Sequence, residues 1–563
     1  MNNNIYKLAA LLFGSLLLTT GCIEETYPLD GSGTSGQIDK SEFAADGLVA
    51  SIPAILITNN IYGQDSHEDF GYPTMMATFD RAIGEVLPMG RNQYRDRFQY
   101  YSYQMYIGPT GYCSLVWYHY YQFIKITNDL IRTCGDNDSL KEQRGIAKAF
   151  RALYYLDLAR FYDPLYAIST EVPSYTTELA NVAGLTVPIV DENTTEAGIK
   201  ENGNPRRPRE EMFQFIFDDL NDAEECLANY VQTVKNRPSL AVIYGLKARA
   251  YLWLGGFKDD IYDTEVYKDV VTGEKAYRKA AEYARKAITA SGCTPLTESE
   301  YCDPINGFNK ANNAWMWAMI QSSETVISNL HSWAAHMCCG AGWGYASGAL
   351  PGVRKASYER MSDTDFRKKL IVGPDTSYDK YKSVTNLSKK EWSEFGIDAT
   401  GILPYSHLKF RTNGGEKTDS SSGNVVDIPL MRIEEMYFIE AEATAHYDEA
   451  TGKSLIESFM VAHRDPKYTL QTLDLVHEII FQKRCEFWGE GVLFFDFKRL
   501  DISLDNAYDG TNAPAGLDFS SIGRCPAWNI CIPTTEVQQN KALQGKNNPD
   551  PSMTLKAKSE MPE

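Results

Sequence analysis

The chain holds 563 residues, with 55 Lys and Arg against 74 Asp and Glu, for a formal net charge of -19. That balance repels phosphate backbones, which sets nucleic acid aside as a partner. The length accommodates one large domain or several ordinary ones of roughly 100 to 200 residues.

The N-terminus carries one charged side chain before Cys22, Lys7, and then an apolar run at 8–18. Eleven residues fall well short of the roughly 20 that span a bilayer, so residues 1–21 read as a secretory signal peptide. Thr19, Thr20 and Gly21 supply the small residues that cleavage needs, and a cysteine directly after them points to lipidation of its thiol. The stretch looks like a bacterial lipoprotein signal. Residues 22–40 end in DGSGTSGQIDK, lack periodic apolar positions and read as a lipidated, flexible tether. No later stretch is long and apolar enough to span a bilayer, so membrane attachment is expected through Cys22 alone. The eleven cysteines form no CxxC pair and the eight histidines lack the i, i+4 spacing of a zinc helix, so no metal and no cofactor is expected. Most of the ten cysteines after Cys22 are expected to be small buried apolar residues.

Apolar residues recur at three- and four-residue spacing over 115–132, 142–162, 209–227, 240–254, 277–290, 429–446 and 473–487, which predicts seven helices. The intervening 162–208, 292–357 and 372–427 hold most of the Gly, Pro, Asn and Ser punctuation. AVIYGLKARAYLWLGGF at 241–257 and AYRKAAEYARKAI at 276–288 place small residues where two helices must approach closely, as in a tetratricopeptide (TPR) hairpin with an inserted loop. AKAFRALYYLDLARFY at 147–162 has the same texture, so several hairpins packed side by side are expected as a scaffold.

Several blocks in order along the chain resemble the SusD/RagB family of surface lipoproteins from Bacteroidota. WYHYYQFIKITNDLI at 117–131 resembles its W-x3-Y-x2-I-x3-N helix, with Trp117, Tyr121, Ile124 and Asn128 on the pattern. AFRALYYLDLARFY at 149–162 and PREEMFQFIFDDLNDAEECL at 208–227 are similar to the next two segments, and IPLMRIEEMYFIEAEA at 428–443 to an R-x-x-E-x5-A-E-A helix. KRCEFWGEGVLFFDFKRL at 483–500 and NICIPTTEVQQN at 529–540 resemble the closing blocks. The resemblance implies a mainly α fold, with four TPR-like hairpins as a scaffold and a long-loop, mixed second half. It implies one SusD-like domain over 41–563, with TPR-like helices at about 113–291 and 429–500 and loop-rich ligand-binding parts at about 60–112 and 292–428. It also implies a non-catalytic protein that captures a glycan at the cell surface and delivers it to a SusC-like, TonB-dependent outer-membrane barrel. Glu24 and Glu25, just after the lipidated cysteine, resemble the export signal that sends such lipoproteins to the outer leaflet.

Acidic pairs invite a hydrolytic reading, because glycosidases set two carboxylates across a cleft. Glu434 with Glu435, Glu440 with Glu442, Asp363 with Asp365, and the trio Glu486, Glu490 and Asp496 are the candidates. The trio is interleaved with Arg484 and Arg499 in an apolar segment, which reads as a charge-paired structural network. Aromatic residues make up 12% of the chain, and two clusters lie outside the helical patterns: QYYSYQMYIGPTGY at 99–112 and HSWAAHMCCGAGWGYASG at 331–348. Rings on glycine-rich loops offer faces against which sugar C–H groups pack. The expected ligand residues are therefore Trp333, Trp343 and Tyr345, supported by Tyr103 and Tyr106; the resemblance adds Arg81, because FDRAIGEV at 79–86 follows a loop that the family places near the ligand, and Trp117, Trp253 and Trp488 are expected in the core. Uptake of peptide by the same architecture, a secreted helical glycoside hydrolase and a plain TPR adaptor are the competing readings.

Overall fold

The computed structural model describes residues 42–59, 61, 69–90, 112–258, 265–323, 330–396, 399–470 and 472–560. Cys22, Glu24, Glu25, His67, Tyr103 and Tyr106 lie outside the described residues.

The longer elements, in chain order, are α1 (Glu42–Ile55), α2 (Tyr72–Ala82), β1 (Leu87–Met89), α3 (Tyr112–Cys134), α4 (Lys141–Tyr162), α5 (Arg209–Cys226), α6 (Leu240–Gly255) and α7 (Gly273–Ser291). They continue with β2 (Trp315–Met319), β3 (Leu350–Gly352), β4 (Ile428–Arg432), α8 (Ile433–Ala445), α9 (Glu449–His463), α10 (Leu475–Glu486) and α11 (Leu493–Arg499). The fold is mainly α. Helix α3 packs on α4, α4 on α5, α6 on α7, α7 on α8, and α8 on α9, forming the side-by-side array that the small-residue patterns predict. In α7 the buried Ala276, Ala280, Ala284 and Ala287 make a narrow stripe that lets α6 approach closely. That helix stops at Gly292, whose left-handed φ of 62° is costly for a residue with a Cβ. Helices α9 and α10 start on side-chain caps, Asp448 accepting from Thr451 N at 3.1 Å and Asp474 from His477 N at 3.0 Å.

One sequence expectation changes here. The 429–446 pattern is not all helix: Ile428–Arg432 is a strand paired antiparallel with β2, and the helix starts at Ile433. A five-residue run buried on both faces reads the same in a strand or a helix. The pairing of Trp315 with Arg432 brings that arginine into the core.

Trp117, Trp253 and Trp488 are buried as expected. Most buried apolar side chains form one continuous cluster from Ala45 to Ala557, with two small satellites, Tyr345 with Ala349 and Ala167 with Tyr175 and Leu179. The Trp488 indole donates to Glu85 O at 2.8 Å and the Trp528 indole to Ala82 O at 3.0 Å. Phe79 of α2 meets Phe161 of α4 at 4.3 Å and Phe494 of α11 at 5.3 Å. The ten described cysteines are free thiols, and all but Cys293 are buried. Among the described residues no helix is long and apolar enough to cross a membrane.

Candidate functional site

Each of the acidic candidates is ion-paired, several of them through cations they share. Glu486 is held by Arg464 (2.7 Å), Arg432 (3.1 Å) and Arg367 (3.1 Å), and Glu490 by Lys409 (2.5 Å) and Arg432 (2.8 Å). Burial alone would raise the Glu486 carboxyl, but Arg464 and Arg432 outweigh it and hold the group well below the usual carboxylate range. Glu442 and Asp496 share Lys483 and Arg499; against its burial, those cations lower Glu442 to about 2. Glu434 pairs with Arg464, Glu435 with Arg249, Glu440 with Arg285, Asp365 with Arg367 and Asp363 with Lys368. Glu486 and Glu442, held ionised in this way, are poor general acids. The sequence reading of a structural network is right for Glu486, Glu490 and Asp496. One partner differs: Arg484 turns to Glu85.

The aromatic-platform expectation is corrected. Trp333, Trp343 and Tyr345 are all buried, at 1%, 7% and 1% exposure. Trp333 opens the short helix Trp333–Met337 and meets Phe410 edge to face at 5.0 Å. Glycines in this segment permit tight packing and do not signal exposure. A Cβ on Gly344 would fall 2.6 Å from the Ala335 Cβ, and one on Gly423 would fall 2.3 Å from Trp343 Cη2. Arg81 is corrected as well: it lies inside α2, is 5% exposed, and places Nη2 3.9 Å from the Met337 sulfur. Tyr112, counted with the 99–112 cluster, is the first residue of α3 and is buried. None of these rings presents a face to a ligand.

A different cavity draws on both loop-rich regions. Strand β1 pairs antiparallel with β3, Met89 opposite Leu350, and residues 395–396 and 400–405 line a cavity with them. This half-open cavity holds about 470 Å³, within the roughly 300–1,000 Å³ of small-ligand sites. Met89, Leu350, Leu403, Pro404, Phe395 and Tyr405 form its apolar wall; Ser347, Thr400 and Asn512 bring side-chain polar groups. Asn512 is fixed by accepting from Lys355 N at 2.7 Å and donating to Val353 O at 2.8 Å. Its second N–H faces only the Met89 sulfur, at 3.9 Å, which leaves hydrogen-bonding capacity on the cavity side. Tyr405 has φ 67°, rare for a residue with a side chain. Val372 O accepts its N–H at 2.5 Å and its carbonyl accepts from Val353 N at 2.9 Å, so the backbone on both sides holds the strained residue in place.

Sequence reasoning placed this wall by region and missed its residues. The segment 395–405 carries its own signal, Gly396, Gly401 and Pro404 around an apolar run, inside the expected 292–428 stretch. Asn512 lies outside both expected stretches and has no motif to mark it. Among the described residues no group of three or more His, Cys, Asp or Glu is placed to hold a metal ion.

Comparison with known proteins agrees with the helical array. A family model described as "Starch-binding associating with outer membrane" matches residues 77–252, and one described as the SusD family matches residues 342–549. Among curated proteins none matches. Among solved structures, a SusD-like carbohydrate binding protein from Bacteroides vulgatus superposes with a TM-score of 0.66 at 21% identity, over 92% of this chain and 98% of that one. A SusD superfamily protein from Bacteroides thetaiotaomicron gives a TM-score of 0.63 at 16% identity, over 90% and 99%. Surface glycan-binding protein A from the same organism, solved in complex with laminarihexaose, gives 0.57 at 15%, over 90% and 99%. These likenesses share the fold, the two family models cover the helical array and the loop half in turn, and the chain belongs to the SusD/RagB family.

Proposed function

We propose that this protein is a non-catalytic, cell-surface glycan-binding lipoprotein, anchored through Cys22 and exported by the signal that contains Glu24 and Glu25. It captures an oligo- or polysaccharide and delivers it to a SusC-like, TonB-dependent barrel in the outer membrane. The observation that carries this reading is the cavity of about 470 Å³, with a mostly apolar wall and a few fixed polar groups. Sugars present C–H faces and hydroxyl edges, and such a wall matches both. Family membership and the laminarihexaose complex of a protein with this fold support the same reading. Tyr103 and Tyr106, in the stretch that follows Gly90, are proposed on sequence grounds to add stacking faces.

The test is calorimetry of the mature protein with a panel of oligosaccharides, repeated on Phe395→Ala and Asn512→Ala. Binding at roughly micromolar to millimolar Kd, weakened in both variants, is the expected result. Release of reducing ends from a bound glycan would contradict the non-catalytic reading. Isolation of the native protein from detergent without a barrel partner would contradict delivery.

A further inference from the structure

A second cavity, of about 370 Å³, shares a wall with the first. Tyr358 lines the second, Tyr405 lines the first, and the two rings meet edge to face at 5.7 Å. The segment between them is continuous: Ile371, in the second cavity, bridges to His407, and Val372 holds the Tyr405 N–H. The second cavity differs in charge. Lys368, Lys369 and Lys380 line it against Asp363 and Asp365, and Asp365 is already neutralised by Arg367 at 2.6 Å. Lys369 pairs with Glu298, outside the cavity lining. Lys368 donates to Met361 O at 2.7 Å and pairs at 2.7 Å with Asp363, whose side chain is 94% exposed and so free to swing away. Lys380 is exposed and has no carboxylate within 4 Å among the described residues; its Nζ lies 5.5 Å from the Tyr381 ring centroid.

Three ammonium groups against two carboxylates give this sugar-sized cavity a locally positive lining in a chain of net charge -19. We infer that the captured glycan is acidic, with neutral sugar faces against the Phe395 and Tyr405 wall and a uronate carboxylate or sulfate ester between Lys368 and Lys380. A ligand acid group there replaces Asp363 as the partner of Lys368 and gives a close anionic partner to Lys380, which interacts with Tyr381. The half-buried Tyr358 ring flanks that position and offers a face to a pyranose ring. The inference rests on the glycan-binding reading of the first cavity.

Calorimetry of the mature protein with three probes of equal length tests it: an oligogalacturonate, a sulfated oligosaccharide and laminarihexaose. The expected result is binding of an acidic probe about tenfold tighter than laminarihexaose at about 50 mM salt, with the gap closing at about 500 mM. Which acidic probe wins separates carboxylate from sulfate. Lys368→Gln with Lys380→Gln removes the preference, whereas Lys382→Gln, outside the cavity lining, keeps it. Circular dichroism confirms that the variants fold. Equal or tighter binding of laminarihexaose, or a preference that survives the double substitution, overturns the acidic-glycan inference and leaves the glycan reading standing. Binding of none of the three, extended to a wider glycan panel without success, overturns both.

Discussion

The indole N–H of Trp343 donates to Asn424 Oδ1 at 2.8 Å, in a site where both residues are buried. This bond ties the 331–348 segment to the turn before β4. Trp343→Ala removes the ring and the bond together, and core tryptophan truncations cost about 3–5 kcal/mol. Urea denaturation should show a loss of that order. A midpoint equal to the parent's would mean that the ring is free in solution.

Glu442 provides an acid-side signature. Burial opposes its ionisation, but Arg499 and Lys483 hold the carboxyl at about 2 against an unfolded value of 4.5. A depressed carboxylate contributes stability that is complete above pH 4.5 and is lost as pH falls from 4.5 toward 2. Glu442→Gln leaves Lys483 and Arg499 with one carboxylate between them, Asp496, and breaking a buried pair costs about 3–5 kcal/mol at neutral pH. The melting temperature of this variant should also fall less steeply than the parent's between those pH values.

Asp80 works in the opposite direction. Burial pushes its carboxyl up to about 8, aided by Glu85 and opposed by the Gly491 N–H. With an unfolded value of 3.8, the folded chain binds the extra proton in between, so this group's contribution declines as pH rises from 3.8 through 8. Asp80→Asn keeps an acceptor for Gly491 N, bonded at 3.2 Å in the parent, and removes the buried charge. It should melt above the parent at pH 8 and show no advantage at pH 4.

Lipidation is countable. Ten described cysteines are free thiols and Cys22 is the eleventh in the chain. Thiol titration of the denatured native lipoprotein should return ten groups per chain, because a thioether at Cys22 does not react. Eleven would mean that Cys22 carries no lipid.

The helical scaffold was legible because its signal is local. Spacing set 142–162 and 240–254 to within a residue or so of α4 and α6, and the alanine stripe of α7 announced its close partner. The loop segments were legible by region only. Trp343 beside Gly342 and Gly344 looks the same in sequence whether the glycines free the ring for solvent or let the chain fold down over it. What decides between these is the position of Ala335 and Gly423, which no local pattern encodes. The ionic core shows an intermediate case. The interleaving of Glu486, Glu490 and Asp496 with basic residues marks pairing, while the partners Arg367, Arg432 and Arg464 come from separate segments.

The two indole bonds that close the core, Trp488 to Glu85 and Trp528 to Ala82, join residues 403 and 446 positions apart. Contacts of such separation form late, since the entropy of closing so long a loop is lost before they return anything. A nascent chain therefore cannot finish its core until residue 528 has been synthesised. For the export proposed above, this sets the timing: the core stays unfinished through more than nine-tenths of the chain's translation.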